Sequence, residues 1–212
     1  MEDIKDTILN KIKDLKNKAF GETTIDCSFG DVKYKLVFLT ADRNEDKNII
    51  QLLSDWRKKH EIWFPSQFEV TPERTKKWFE ERVIGASDRL LFMIEVNGEF
   101  VGHVGLFRFN FNDRVCDIDN ILRGVDKYPG IIESAINNMM QWGKKEFGLE
   151  GYTLETASDN DRALKLYERM GFKEAKRVPL IKTNKNNCIE WAEAPEGYTG
   201  TIERYDVFMI LK

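Results

Sequence analysis

Cysteine and histidine are scarce in this chain. There are three cysteines, Cys27, Cys116 and Cys188, and two histidines, His60 and His103. Cysteines so widely spaced and odd in number exclude a disulfide framework and any Cys-x-x-Cys knuckle, and with two histidines no metal site is expected. No apolar run approaches the roughly eighteen residues needed to span a bilayer, so no membrane partner is expected. Neither sign of charge dominates. Thirty-three Lys and Arg against 36 Asp and Glu give a formal net charge of −3, which argues against a general nucleic-acid binder. The opening MEDIKDTILNKIKDLKNK lacks the continuous apolar core and small-residue cleavage site of a secretory signal. A cytoplasmic location is the expectation. Internal repeats and low-complexity tracts are also missing, which points to one compact domain with a small appendage.

What is present is periodic. Ile4, Ile8, Ile12, Leu15 and Ala19 recur at three- to four-residue spacing among lysines and acids, predicting an amphipathic helix. TTIDCSF and VKYKLVFLT flank Gly30-Asp31 and predict a hairpin. DKNIIQLLSDWRKKH (46–60) and TPERTKKWFEERVIG (71–85) read as helices, the second opening at Thr71. LLFMIEV, Asn97-Gly98 and FVGHVGLFRF form a strong hairpin signal, because Asn-Gly suits a type I′ turn. RVCDIDNIL (114–122) is a further strand, followed by Pro129-Gly130 and the helix GIIESAINNMMQWGKKEFG, with Pro placed where a first turn tolerates it. YTLETAS, DRALKLYERMG, FKEAKRVPL and YDVFMILK then read as strand, helix, strand, strand, with a polar insertion over 181–204 before the last. The fold class is α/β: a mixed, mostly antiparallel sheet with helices on both faces.

Two stretches carry chemistry. In SDNDRALKLYERMGFKE (158–174), Asn160, Ala163 and Tyr167 lie three and four residues apart and share one helix face. The small Ala163 leaves a groove in which an amide and a phenol could bind a thin, amide-containing chain. The plain reading is that Asn160 caps the helix and Tyr167 is a core tyrosine with its hydroxyl at the rim. In DNILRGVDKYPGIIESA (119–135), a strand, a loop and a helix start bring Gly130 and successive amides together. With Arg123 and Lys127 they could cradle a pyrophosphate, although an ordinary strand-to-helix turn has the same pattern.

Together the two stretches resemble the GNAT superfamily of acyl-CoA-dependent N-acyltransferases. Lys127-Tyr128-Pro129-Gly130-Ile131-Ile132 stands where the family has Gln/Arg-x-x-Gly-x-Gly/Ala. Gly130 fits, Lys127 replaces Gln or Arg, and Ile132 is bulkier than the usual residue. Asn160, Ala163, Leu166, Tyr167, Gly171 and Phe172 match Asn-x-x-Ala-x-x-Leu/Phe-Tyr-x-x-x-Gly-Phe. The resemblance is clear over 88–172 and loose over 33–87. It divides the chain into residues 1–32, an N-terminal helix with the start of a hairpin, and 33–212, a GNAT-like domain holding the 181–204 insertion. It implies acetyl-CoA as cosubstrate, no metal, and direct attack of a primary amine on the thioester. Tyr167 is then the general acid, since a phenol can protonate a thiolate whose thiol has a pKa of about 8.5. Backbone N–H groups around Ile121 and Leu122 hold the oxyanion, and Asn160 binds the pantetheine arm.

The general base is open. Asp117 and Asp119 share a strand face; Asp119 is the candidate carried forward, Glu155 the rival, and His103 reads as packed and hydrogen-bonded. The acceptor is expected to be a small-molecule amine. WRKKHEIWFPSQFE (56–69) sets Arg57, Lys58, Lys59 and His60 beside Trp63, Phe64 and Phe68, which suits a nucleotide-linked amino sugar. The alternatives are a protein N-terminal acetyltransferase of the ribosomal-protein type, and a non-catalytic acyl-CoA-binding scaffold. The N-terminal helix is either an oligomer contact, as in a homodimer, or packing on its own sheet.

Overall fold

The computed structural model describes residues 4–185 and 188–212. The chain opens with α1 (Ile4–Asn17), whose apolar stripe buries Ile8, Ile12 and Leu15 against the sheet. Lys16 is buried beside them. Its Nζ donates to the carbonyls of Val83 at 2.7 Å and Ile84 at 3.3 Å, and to that of Ala86. The cation thereby satisfies carbonyls left open at a helix end.

β1 (Thr24–Phe29) and β2 (Val32–Phe38) form the first hairpin and pair from Thr24↔Val37 to Phe29↔Val32. The boundary read between residues 32 and 33 therefore falls inside a hairpin, and α1 and β1 share the core of the rest. α2 (Lys47–Lys59) is capped by Asp46, whose side chain accepts from the Asn48 and Ile49 amides. After β3 (Ser66–Gln67) comes α3 (Pro72–Trp78), capped by Thr71 and prolonged by a π-helical turn over Phe79–Ile84. β4 (Leu90–Val96) and β5 (Glu99–Asn110) join at Asn97 and Gly98, with φ of 51° and 79°, as a type I′ turn requires.

The remaining elements are β6 (Val115–Arg123), α4 (Ile131–Phe147), β7 (Gly151–Ala157), α5 (Asp161–Arg169), β8 (Lys173–Lys185), β9 (Cys188–Glu193) and β10 (Arg204–Leu211). One ten-stranded sheet runs in the order β1-β2-β4-β5-β6-β7-β10-β8-β9-β3. Only the β6–β7 pair is parallel among the described strands. The two-residue strand period divides the core. Tyr34, Leu36, Phe38, Leu90, Phe92 and Ile94 face α1, α4 and α5, while Val37, Leu39, Leu91 and Met93 face α2 and the π-helical turn.

About half of the polar 181–204 insertion is strand: β8 runs on to Lys185 and the chain returns as β9, which pairs with β8 and with β3. One expectation is corrected. Pro129 lies outside the first turn of α4, whose N-cap is Gly130 with φ of 90°.

Candidate active site

The site exists because the sheet opens. β6 and β7 pair only between Val115–Asp117 and Gly151–Thr153 and then separate. Beyond Asp117 the edge of β6 that faces β7 has no ladder partner. β6 also carries a bulge. His103 pairs with Leu122 and Gly105 with Asp119, so four residues of β6 oppose three of β5, and Asn120 takes up the excess at φ 49°. A cleft of about 820 Å³ occupies the opening. Asp119, Ile121, Leu122, Arg123, Tyr128, Gly130, Ile131, Ile132, Asn160, Ala163 and Tyr167 all line it. Lys127 and Pro129 stand outside the lining, and Lys127 is paired with Glu99 at 2.9 Å.

On the α5 wall the cap and the core tyrosine are both found, and both residues also line the cleft. Asn160 is the N-cap, its Oδ1 accepting from the Ala163 amide at 3.3 Å, and it still lines the cleft. Tyr167 belongs to the core at 5% exposure and also lines the cleft. Its hydroxyl bonds to no group among the described residues, and burial raises its pKa. A phenol so placed stays protonated and is a donor without a recipient.

On the opposite wall the chain turns sharply into α4, with φ of 55° at Tyr128 and 90° at Gly130. Among the described residues, no backbone carbonyl accepts from the amides of Gly130, Ile132 or Glu133. Three free donors at the positive end of a 17-residue helix fit a phosphate group. Arg123 braces the turn, donating to the Val125 carbonyl at 3.0 Å and the Lys127 carbonyl at 3.3 Å. The bulk of Ile132 is accommodated by Gly102 of β5, where a Cβ would come within 3.2 Å of its Cδ1. The close approach at Gly130 is to Phe29, whose Cζ would lie 2.6 Å from an added Cβ.

The carboxylates are held by two arginines that the sequence pattern did not single out. Arg89 Nη2 meets Asp119 Oδ2 at 2.8 Å, and Asn120 Nδ2 donates to the same oxygen at 2.8 Å. Asp119 Oδ1 is buried without a partner. Burial outweighs Arg89 and raises the Asp119 pKa to about 6. Arg108 bridges Asp117 at 2.6 Å and Glu155 at 2.8 Å, while Thr153 also donates to Asp117. His103 is buried, bonds the Asn120 carbonyl at 2.6 Å through Nδ1, and burial lowers its pKa to about 4.

At the outer end stand Arg57, Trp63, Phe64, Phe68 and Arg74. Arg204, buried on β10, ties this end to the loop that enters α5. It donates to the Ile62 carbonyl at 3.2 Å, pairs with Asp159 at 2.6 Å, and lies 4.4 Å from the Trp191 ring.

The sequence model of the acetyltransferase (GNAT) domain family matches residues 35–173, well over half of the chain. The chain belongs to this family. This GNAT protein is therefore an acyl-CoA-dependent N-acetyltransferase with acetyl-CoA as the acetyl donor. It is 23% identical over 136 residues to the spermidine N(1)-acetyltransferase of Vibrio cholerae, covering 64% of this chain and 78% of that protein. The crystal structure of the Vibrio cholerae spermidine N-acetyltransferase with CoA and spermine superposes with a TM-score of 0.62 at 16% identity, covering 84% of this GNAT chain and 94% of that one. The ribosomal L7/L12 α-N-protein acetyltransferase RimL gives 0.60 at 10% identity, covering 92% and 97%. The microcin C7 self-immunity acetyltransferase MccE, in complex with acetyl-CoA and AMP, gives 0.61 at 15% identity, covering 85% and 92%. At these identities the superpositions establish the fold. Among the described residues no group of three or more His, Cys, Asp or Glu is placed to hold a metal, and no helix is long and apolar enough to cross a membrane.

Proposed function

We propose that this GNAT enzyme transfers acetyl directly from acetyl-CoA to the primary amine of a nucleotide-linked amino sugar. The observation that carries the chemistry is that Tyr167, whose phenol has no partner among the described residues, and Asp119 line one cleft. A binding-only domain has no use for either. When bound, acetyl-CoA supplies an activated carbonyl and a thiolate leaving group. The free amides of Gly130, Ile132 and Glu133 take a phosphate of the donor, and Asn160 orients the amide-containing arm. The Asp119 carboxylate removes a proton from the incoming ammonium; a carboxyl that titrates near neutrality is matched to that task. The backbone at Ile121 and Leu122, on the unpaired stretch of β6, holds the charge that gathers on the carbonyl oxygen. Tyr167 returns a proton to the departing sulfur.

The acceptor reading rests on how charge is divided along the cleft. Near the chemistry, Arg89 pairs with Asp119 while Arg108 is shared by Asp117 and Glu155. The two guanidiniums reduce the negative potential that a polyamine would need. The outer end combines aromatic rings with guanidinium groups, which suits an amine whose far end is an anionic nucleotide. A protein of this fold, MccE, is known in complex with acetyl-CoA and AMP, which supports a nucleotide-bearing acceptor. The test is thiol release from acetyl-CoA with a uridine-diphosphate amino sugar, spermidine and an N-terminal peptide offered separately. Turnover confined to the nucleotide amine is expected. Turnover of spermidine or peptide with none of the nucleotide amine would refute this acceptor.

A further inference from the structure

The outer end of the cleft holds a charge arrangement that nothing within the described residues completes. Two guanidiniums lie against Phe68, Arg57 at 5.2 Å and Arg74 at 5.3 Å from its ring centre. Arg57 also stacks on Phe64 at 3.5 Å. Two like charges gathered at one phenyl ring call for an anion that both can reach. Among the described residues, no carboxylate lies within ion-pairing distance of either arginine; Glu61 is close enough to act on Arg57 only at longer range. Each guanidinium has one anchoring bond, Arg57 Nη2 to the Ser66 carbonyl at 2.6 Å and Arg74 Nη1 to the Glu69 carbonyl at 3.0 Å.

Arg57 Nη1 is buried with no acceptor among the described residues. A desolvated charge-bearing donor left unpaired is costly, and a phosphate oxygen is the acceptor that offsets the cost best. Burial has already lowered the Arg57 pKa to about 10, in line with a cation deprived of solvent and counter-ion. The anchors are rigid. Ser66 and Gln67 are the whole of β3, clamped by β9 through Ser66↔Glu190, Gln67↔Ile189 and a 2.8 Å bond from the Trp191 amide to the Pro65 carbonyl. The hairpin outside the family match therefore fixes the carbonyl that aims Arg57, and the site is organised before a ligand arrives.

We infer that Arg57 and Arg74, both against Phe68, form an anion site that holds the diphosphate of the acceptor nucleotide. This rests on the acceptor reading above and assigns its specificity to two side chains. The planar forks grip phosphate oxygens, and the Phe64 and Phe68 rings supply apolar surface for the attached nucleoside.

The experiment is calorimetry on protein saturated with CoA, so that the donor's phosphate turn is filled. The probes are UDP, inorganic pyrophosphate and uridine, titrated into wild type, Arg57→Gln, Arg57→Lys and Arg74→Gln. UDP should bind more tightly than pyrophosphate, and uridine least. Each glutamine variant should weaken UDP by about tenfold or more, Arg57→Lys should recover part of the loss, and CoA affinity should not change. Arg74 is exposed, so its variant keeps the test open should Arg57→Gln fail to fold. UDP affinity within twofold of wild type in both glutamine variants, or uridine binding as well as UDP, overturns the anion site. Loss of UDP binding in the variants, with no acetylation of any nucleotide amine, leaves the site standing and overturns the acceptor reading alone.

Discussion

Replacing Arg89 with methionine keeps an apolar side chain beside Phe107, over whose ring the guanidinium carbon lies at 3.6 Å, and deletes the charge 2.8 Å from Asp119. The other groups that act on this carboxyl are Asn120 and Arg108, which lower its pKa, and Asp117, which raises it. None of them is altered. An opposite charge at such range depresses an acid by about 1–3 units. Asp119, already raised to about 6 by burial, should climb to between about 7 and about 9 without it. At pH 7 the ionised fraction then falls from about 0.9 to somewhere between about 0.5 and about 0.01, a loss of roughly two- to hundred-fold in kcat/KM that is recovered in alkali. The assay is thiol release from pH 5.5 to 9.5 for wild type, Arg89→Met and Arg89→Lys, the last restoring charge without the fork. The reasoning predicts an acid limb displaced to higher pH in Arg89→Met and largely returned in Arg89→Lys. An unmoved limb, or an equal loss at every pH, would show that Arg89 serves the fold and does not position the base.

Two more outcomes follow from the same site. Tyr167→Phe removes a hydroxyl that has no bonding partner among the described residues, so the melting temperature should stay within a degree or so. Its kcat should nevertheless drop by about 100-fold with acetyl-CoA affinity kept, and retained kcat would remove Tyr167 from the mechanism. Asp119→Asn should change how stability responds to acid. Asp119 has a folded pKa raised from 3.8 to about 6, so its contribution is complete below the unfolded value and is lost as pH rises through about 6. His103 has a folded pKa lowered from 6.5 to about 4, so its contribution is complete above the unfolded value and is lost as pH falls through about 4. Each is on the order of 3 kcal/mol and the two offset one another between about pH 4 and pH 6.5. With Asp119 gone, urea unfolding at pH 4.5 and pH 7 should show an acid-side loss larger by on the order of 2–3 kcal/mol than in wild type; parallel behaviour of the two proteins would refute the compensation.

Local pattern conveyed the elements well because their causes are local. Strand alternation at Leu90–Val96, the turn at Asn97 and Gly98, and the helix face shared by Asn160, Ala163 and Tyr167 depend on neighbours a few residues away. What escaped depends on distant partners. Arg89 sits just before an apolar run, with nothing nearby to mark it as the counter-ion of Asp119. Lys127 looked available for phosphate until the sheet placed Glu99 against it. Gly130 was rightly singled out as a point of close approach, yet its neighbour there is Phe29, delivered by the first hairpin. Ile132 looked too bulky for its turn because the glycine that makes room for it, Gly102, lies on another strand. The 181–204 segment has the polarity of a loop, and pairing with β3 makes part of it a strand.

The ten-stranded sheet ends unequally, and that governs how copies of this chain could add to one another. One terminal strand, β3, is two residues long, too short to template an incoming strand. The other, β1, presents six residues with an unpaired outer side. Its sequence TIDCSF puts one acid, Asp26, amid residues of strand-forming type. Among the described strands, β1 is the longer terminal strand open to edge-to-edge growth, with a single carboxylate in it to oppose such growth. A lysine placed beside Asp26 would protect this edge further, and neutralising Asp26 would leave it bare.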